Sequence, residues 1–126
     1  MGTRVAVPEH IRLALERFFG DGVKNVVVVE RSLFARLHLR IRATTRRRRI
    51  YLVGDGAQFF ADPALMLHEY CHVMKQWEPR RLTTLRYVIE WLRRGYWDNS
   101  FEIEAREFTE DNLYRFRALL RGPSTE

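Results

Sequence analysis

The segment His-Glu-Tyr-Cys-His at residues 68–72 constrains this chain most, because it sets two histidines and a glutamate inside an otherwise apolar stretch, residues 64–77. Residues four apart lie on the same face of a helix, so His68 and His72 can bind one metal ion. Glu69 lies beside them and can reach a water bound to that metal. These three residues are the minimum needed to make a nucleophile from water at neutral pH. The segment therefore predicts a helix that carries a zinc-hydrolase site.

Two histidines do not complete a catalytic zinc site, which normally has three protein ligands and one open position. The acidic residues downstream are concentrated at the start of the last predicted helix, where Glu102, Glu104 and Glu107 are the candidates. At 100° per residue, Glu102 and Glu104 point about 200° apart. Only one of these two can face the metal, and the other is expected to be solvated or paired with an arginine.

The pattern H-E-x-x-H at residues 68–72, followed on a later predicted helix by Glu-Ile-Glu-Ala at residues 102–105, resembles the gluzincin class of zinc metallopeptidases. The resemblance is closest to the minigluzincins, which are minimal single-domain members, and to small metallopeptidase-like domains associated with bacterial toxins and injection systems. It covers residues 43–108 and implies a minimal zincin-like fold. It also implies that Glu102 is the third Zn²⁺ ligand beside His68 and His72, and that Glu69 is the catalytic base.

The sequence departs from this family at one supporting position. Many gluzincins have an aspartate one turn after the ligand glutamate, bonded to a ligand histidine, whereas this chain has Arg106. Such partners set the tautomer and the basicity of a metal-binding histidine. The equivalent support is therefore expected from Asp98, from Glu107 or from a backbone carbonyl.

The resemblance implies hydrolysis of a peptide or protein substrate. Glu69 would take the proton of a zinc-bound water and pass it to the leaving amine. An extended substrate is expected to pair with an edge strand, which we predict at residues 50–53. A donor for the developing oxyanion is expected from Tyr87, Tyr96 or Tyr114, among which the sequence does not choose. A toxin or an injection-system component is the partner that the resemblance suggests.

The formal charge of +6, from 22 Lys plus Arg against 16 Asp plus Glu, supports an alternative function. A non-catalytic module would use zinc to stabilise its fold and its basic surface to engage a protein or nucleic-acid partner. The densest basic run, residues 46–49, is more simply a solvated hairpin turn. No aromatic residue is interleaved with it, so nucleic acid is not favoured as a partner. A fourth protein ligand on the zinc would indicate the non-catalytic module, whereas a water in that position beside Glu69 would indicate the enzyme.

The chain has no apolar run of membrane-spanning length and no apolar signal region at its N-terminus. These features predict a cytoplasmic protein without a membrane partner, although export by a dedicated secretion machine needs no such signal. The single cysteine, Cys71, excludes an internal disulfide. We expect it to be a buried core thiol rather than a metal ligand.

The sequence predicts one α+β domain over residues 1–126, with a frayed tail at residues 121–126. An N-terminal helix at residues 8–19 precedes a small sheet of three to four largely antiparallel strands. Strands are predicted at residues 26–29 and 50–53, and the pattern at residues 33–41 fits either a strand or a short helix followed by a strand at residues 42–45. Three helices follow, at residues 63–77, 79–94 and 100–120. Asp62 is a good N-cap for the first helix, with Pro63 at its first position, and Leu82 is expected on the apolar side of the second. The first carries the H-E-x-x-H pattern and the last carries the glutamates.

Overall fold

The computed structural model describes residues 2–32, 43–95 and 98–121. Within these ranges the chain forms five α-helices and one four-stranded sheet, which confirms the predicted α+β class. The alternatives at residues 33–41, the position of Tyr96 and the tail beyond residue 121 lie outside the described residues.

Four short strands form the sheet: β1 (Thr3–Val5), β2 (Val27–Glu30), β3 (Ala43–Arg46) and β4 (Arg49–Leu52). Their order across the sheet is β1-β2-β4-β3. The β1–β2 and β3–β4 pairs are antiparallel and the β2–β4 pair is parallel, so the sheet is largely antiparallel as predicted. The first strand, β1, is too short to have given a pattern in the sequence.

The prediction of an edge strand at residues 50–53 is wrong. β4 lies between β2 and β3, with Ile50 paired to Val28 on one side and to Thr45 on the other. Among the described strands, β3 is the outermost on this side. The cause is burial, since Ile50 and Leu52 are almost fully inaccessible and a strand with such inward side chains is stabilised best at the centre of a sheet.

The arginine run forms the hairpin turn that was predicted. Arg46 ends β3, Arg49 begins β4, and Arg47 and Arg48 make the turn between them. Arg48 adopts a φ of 61° there, in the left-handed region. Its guanidinium donates from Nε and Nη2 to the two carboxylate oxygens of Glu78, each at 3.1 Å. Nη2 of Arg47 also lies 3.9 Å from Oε2 of Glu78, so two arginines of the run pair with this carboxylate and fix the hairpin.

The helices are α1 (Glu9–Phe19), α2 (Gly56–Phe60), α3 (Pro63–Cys71), α4 (Thr84–Arg94) and α5 (Ser100–Arg121). Asp62 caps α3 as predicted, because its Oδ1 accepts from the amide of Leu65 at 3.1 Å. The short helix α2 was not predicted from the sequence.

The start of α4 was predicted five residues too early. Arg80 has a φ of 63°, which is incompatible with an α-helix, and the helix begins only after this residue. Thr83 then caps α4 by accepting the amide of Arg86 at 3.2 Å. Leu82, expected on the apolar side of this helix, is instead buried in the segment before it.

The core lies between the sheet and the helices α1, α3 and α5, and α3 is enclosed on most sides. Cys71, at the end of α3, is fully buried, and this burial raises the pKa of its thiol to about 12, as expected of a core cysteine. No helix in the described ranges has both the length and the apolar character required to cross a membrane. Large, fully buried apolar side chains of this core come from α3 itself (Met66, Leu67 and Tyr70) and from the elements around it (Leu15, Ile50, Phe59 and Phe116).

Candidate metal centre

The helix that carries the H-E-x-x-H pattern changes its winding at the second histidine. α3 ends at Cys71 and continues without a break as a π-helix over His72–Trp77. The amide of Glu78 donates to the carbonyl of Val73, five residues earlier, at 2.8 Å. The predicted helix to residue 77 is therefore helical throughout, but its last part is wider than an α-helix. Such π-helical turns occur frequently at functional sites.

Three side chains converge at this change of winding. Oε1 of Glu102, in the first turn of α5, lies 3.1 Å from Nε2 of His68 and 3.1 Å from Nε2 of His72. The two imidazole Nε2 atoms are 3.2 Å apart. His72 and Glu102 are buried and His68 is partly exposed, so the group opens to the surface on the side of His68. The structure thus brings together the three residues that the sequence proposed as metal ligands.

The chemistry and spacing of these donor atoms fit a zinc ion. Two imidazole nitrogens and one carboxylate oxygen form a ligand set found in catalytic zinc sites. With Zn–ligand bonds of about 2.0–2.1 Å, tetrahedral geometry separates the ligand atoms by about 3.3 Å. The distances of 3.1–3.2 Å between the three atoms come close to this value. Among the described residues, these three side chains form the group, and a tetrahedral ion held by them would have a fourth position that no other described residue fills.

The charges within the group are strongly coupled. Burial opposes ionisation of Glu102, but the charge of His72 and the hydrogen bonds from both histidines outweigh it and lower the pKa of Glu102 far below its ordinary value. Burial likewise opposes the charged form of His72, but the Glu102 carboxylate raises the pKa of His72 to about 9. The carboxylate therefore stays ionised at neutral pH, while a proton on His72 competes with any metal ion.

Glu69 is buried next to this group. It is 6% exposed, and its charge contributes to the raised pKa of His72. Glu69 is not one of the three converging side chains, and it lies one residue from His68 on the same helix.

Of the two tyrosine candidates that the structure describes, Tyr87 and Tyr114, only Tyr87 reaches the candidate metal centre. The hydroxyl of Tyr87, on α4, donates to Oε2 of Glu102 at 3.1 Å. Tyr114 lies three turns further along α5 than Glu102 and is 84% exposed, which places it away from the site. The hydroxyl of Tyr87 has a single proton, and its hydrogen bond to Glu102 uses that proton.

The neighbouring glutamates take different roles. Glu104 pairs with Arg81 at 2.8 Å, which confirms the expectation that the glutamate facing away from the metal pairs with an arginine. Glu107 is exposed. The helical angle between Glu102 and Glu104 explains why only one of them joins the histidines.

The prediction that Asp98, Glu107 or a backbone carbonyl supports the ligand histidines is wrong for His72. Asp98 and Glu107 are both exposed, and the partner of His72 is Gln76, whose Oε1 lies 2.7 Å from Nδ1 of His72. Gln76 is four residues after His72, and this spacing could have identified it in the sequence. Its polar side chain was missed because it lies in an apolar stretch.

Comparison of this chain with protein-family models, with curated proteins and with solved structures found no match. The interpretation of the site therefore depends on its own residues and their geometry.

Proposed function

We propose that this chain is a zinc-dependent metallopeptidase, with His68, His72 and Glu102 as the metal ligands and Glu69 as the general base. The convergence of three ligand atoms at 3.1–3.2 Å carries this proposal. A bound zinc ion would lower the pKa of a water and polarise a substrate carbonyl. The alternative, a non-catalytic zinc-stabilised module, requires a fourth protein ligand, and the described residues contribute three to the group.

Glu69 is suited to the proton transfers of peptide hydrolysis. In this proposal its carboxylate accepts a proton from the attacking water and returns it to the amine that leaves. Its burial beside the ligands favours this role, because a carboxylate with little access to solvent is a stronger base than an exposed one.

Tyr87 serves first to hold Glu102. Because its hydroxyl proton points to Oε2 of Glu102, Tyr87 can stabilise an oxyanion on the substrate only after that hydrogen bond breaks. We therefore assign Tyr87 to positioning the carboxylate in the resting protein, with oxyanion stabilisation as a second role when substrate is bound.

An extended peptide would add to β3 rather than to β4. β3 is the described edge strand next to β4, and a hydrogen bond from Nε1 of Trp77 to Oγ1 of Thr45, at 3.1 Å, fixes it to the helical segment that follows the proposed ligands. Strand addition there would run a substrate backbone alongside the helix that carries the ligands. This assignment replaces the edge strand expected at residues 50–53.

The test is proteolysis by the zinc-loaded protein and by Glu69→Gln, using a mixed-sequence peptide library with the products identified by mass spectrometry. We expect wild type to cleave peptides, and Glu69→Gln to retain one zinc ion while losing about 10²–10⁴-fold in rate, the usual contribution of a general base. Zinc content is the control for the integrity of the site. Absence of cleavage by zinc-loaded wild type, or equal cleavage by the variant, would contradict the proposal.

A further inference from the structure

Gln76 is a fully buried polar residue on the π-helix, and each end of its amide has a defined partner. Oε1 lies 2.7 Å from Nδ1 of His72. Nε2 donates to the carbonyl oxygen of Phe101 at 2.9 Å and to Oε1 of Glu104 at 2.6 Å. One side chain thus joins the helix that carries two ligands to the first turn of α5, which carries the third.

These partners fix which way the Gln76 amide points. A backbone carbonyl and a carboxylate only accept hydrogen bonds, so the two groups on the side of α5 must face the NH₂ end of the amide. The oxygen of the amide is then directed at His72. Because that oxygen only accepts, Nδ1 of His72 must carry a hydrogen. The lone pair of the neutral imidazole is therefore on Nε2, the atom that lies 3.1 Å from Glu102.

Glu104 and Arg81 extend this network to the surface. Nη2 of Arg81 donates to Oε2 of Glu104 at 2.8 Å, and Nη1 donates to the carbonyl of Lys75 at 3.1 Å. Arg81 thereby holds the carboxylate that faces the NH₂ end of Gln76. The same guanidinium also holds the backbone of the residue that precedes Gln76.

We propose that Gln76 is a positioning residue that fixes the ring and the tautomer of His72 for metal binding, and that Glu104 and Arg81 fix the Gln76 amide. This inference rests on the proposed metal centre. In this proposal Gln76, which lies on the same continuous helix as His72, supports that histidine. The family pattern expects such support from an aspartate at the position of Arg106. Outer partners of this kind orient the ligand histidine and raise its basicity.

The first test compares zinc affinity in wild type and Gln76→Met, by competition with a chromogenic chelator. Methionine has a similar length and volume but no amide, so it fills the same space and removes the hydrogen bonds. We expect affinity to fall by about 10–100-fold, as is usual when an outer partner of a ligand histidine is lost. The visible absorption bands of the Co²⁺-substituted protein should also change, since a freely rotating His72 alters the ligand geometry.

Two further variants separate positioning from a merely structural role. Glu104→Ala should weaken zinc binding less than Gln76→Met, and Glu104→Gln, which keeps an acceptor oxygen, should restore most of that loss. A structural role alone would lower the thermal unfolding midpoint and leave the affinity and the Co²⁺ spectrum unchanged. If Gln76→Met does not fold, Glu104→Ala decides by the same measurements.

Unchanged affinity and spectrum in these variants, with zinc bound tightly by wild type, would overturn the role of Gln76 and leave the proposed function standing. Failure of wild type to bind zinc would overturn both. The wild-type titration therefore distinguishes the two failures.

Discussion

The helix that bears the ligand histidines and helix α4 both have apolar side chains at helical spacing, yet they are packed in opposite ways. Met66 and Leu67 of α3 are fully buried, whereas Leu85 and Leu92 of α4 are 69% and 72% exposed. None of the residues of α4 is buried. The same kind of pattern has thus produced a central helix in one region and a peripheral helix in the other.

The polar side of α4, and not its apolar side, faces the metal centre. Tyr87 donates to Glu102, and the carboxylate of Glu90 accepts the amide of Ser100 at 3.1 Å. At 100° per residue, Tyr87 lies about 200° from Leu85 around the helix. Apolar periodicity therefore predicts a helix, but hydrogen bonds to a charged site can decide which face of that helix turns inward.

The largest loss of zinc affinity should come from replacing Glu102, the proposed ligand that contacts both the histidine-bearing helix and Tyr87 of α4. Glu102→Ala removes a proposed metal ligand and the acceptor of Tyr87, so we expect zinc affinity to fall by at least about 100-fold, more than the loss of an outer partner causes. Glu107→Ala is the matched control, because Glu107 is an exposed glutamate on the same helix. Competition with a chromogenic chelator measures the zinc affinity of the two variants. Equal losses in the two variants would remove Glu102 from the metal centre.

A pair of leucines tests the comparison directly. Leu67→Ala should lower the free energy of unfolding by about 2–5 kcal/mol, because it leaves a cavity in the core. Leu92→Ala should change it by no more than about 0.5 kcal/mol, because the side chain is already largely solvated. Urea unfolding of the metal-free proteins measures both values. A loss at Leu92 as large as the loss at Leu67 would show that α4 is packed like α3.

A smaller and more specific effect is the pH dependence of folding stability and of zinc affinity. In the folded, metal-free protein the pKa of His72 rises from 6.5 to about 9, so its contribution to stability is complete below pH 6.5 and is lost as the pH rises through 9. The lowered pKa of Glu102 contributes stability that is present above its ordinary value of 4.5 and is lost as the pH falls. Stability should therefore decrease from pH 6.5 to 9, while zinc affinity increases over the same range as the proton leaves His72.

Urea unfolding in the presence of a chelator, at several pH values, checks the first trend, and zinc titration at the same pH values checks the second. His72→Gln should flatten both curves. Two parallel trends, instead of opposite ones, would show that the proton and the metal do not compete for His72.

Local sequence signals predicted the parts of this fold that depend on local physics. Asp62 followed by Pro63 marked the start of α3, because a side-chain cap and a fixed φ act within one turn. The last helix was predicted to within one residue of its C-terminal end. The H-E-x-x-H spacing predicted that His68 and His72 share a face, whereas the choice of Glu102 among the glutamates of α5 came from the family resemblance; the structure brings these three side chains together.

The remaining features depend on contacts between distant segments. The central place of β4 results from its parallel pairing with β2, which no local pattern encodes. The π-helix differs from an α-helix by a shift of a few hydrogen bonds, and its sequence, His72–Trp77, reads as ordinary helix. The role of Gln76 became visible only when Phe101 and Glu104 were placed against it. The inverted packing of α4 depends in the same way on Tyr87 meeting Glu102.

The most direct measurement of the central claim is the zinc content of the purified protein, determined by elemental analysis beside His72→Ala. We expect one equivalent of zinc in wild type and none in the variant, because Nε2 of His72 is one of only three donor atoms that the described residues bring together. Circular dichroism of both metal-free proteins controls for folding. No zinc in either protein after reconstitution, or equal zinc in both, would contradict the metal centre described for His68, His72 and Glu102.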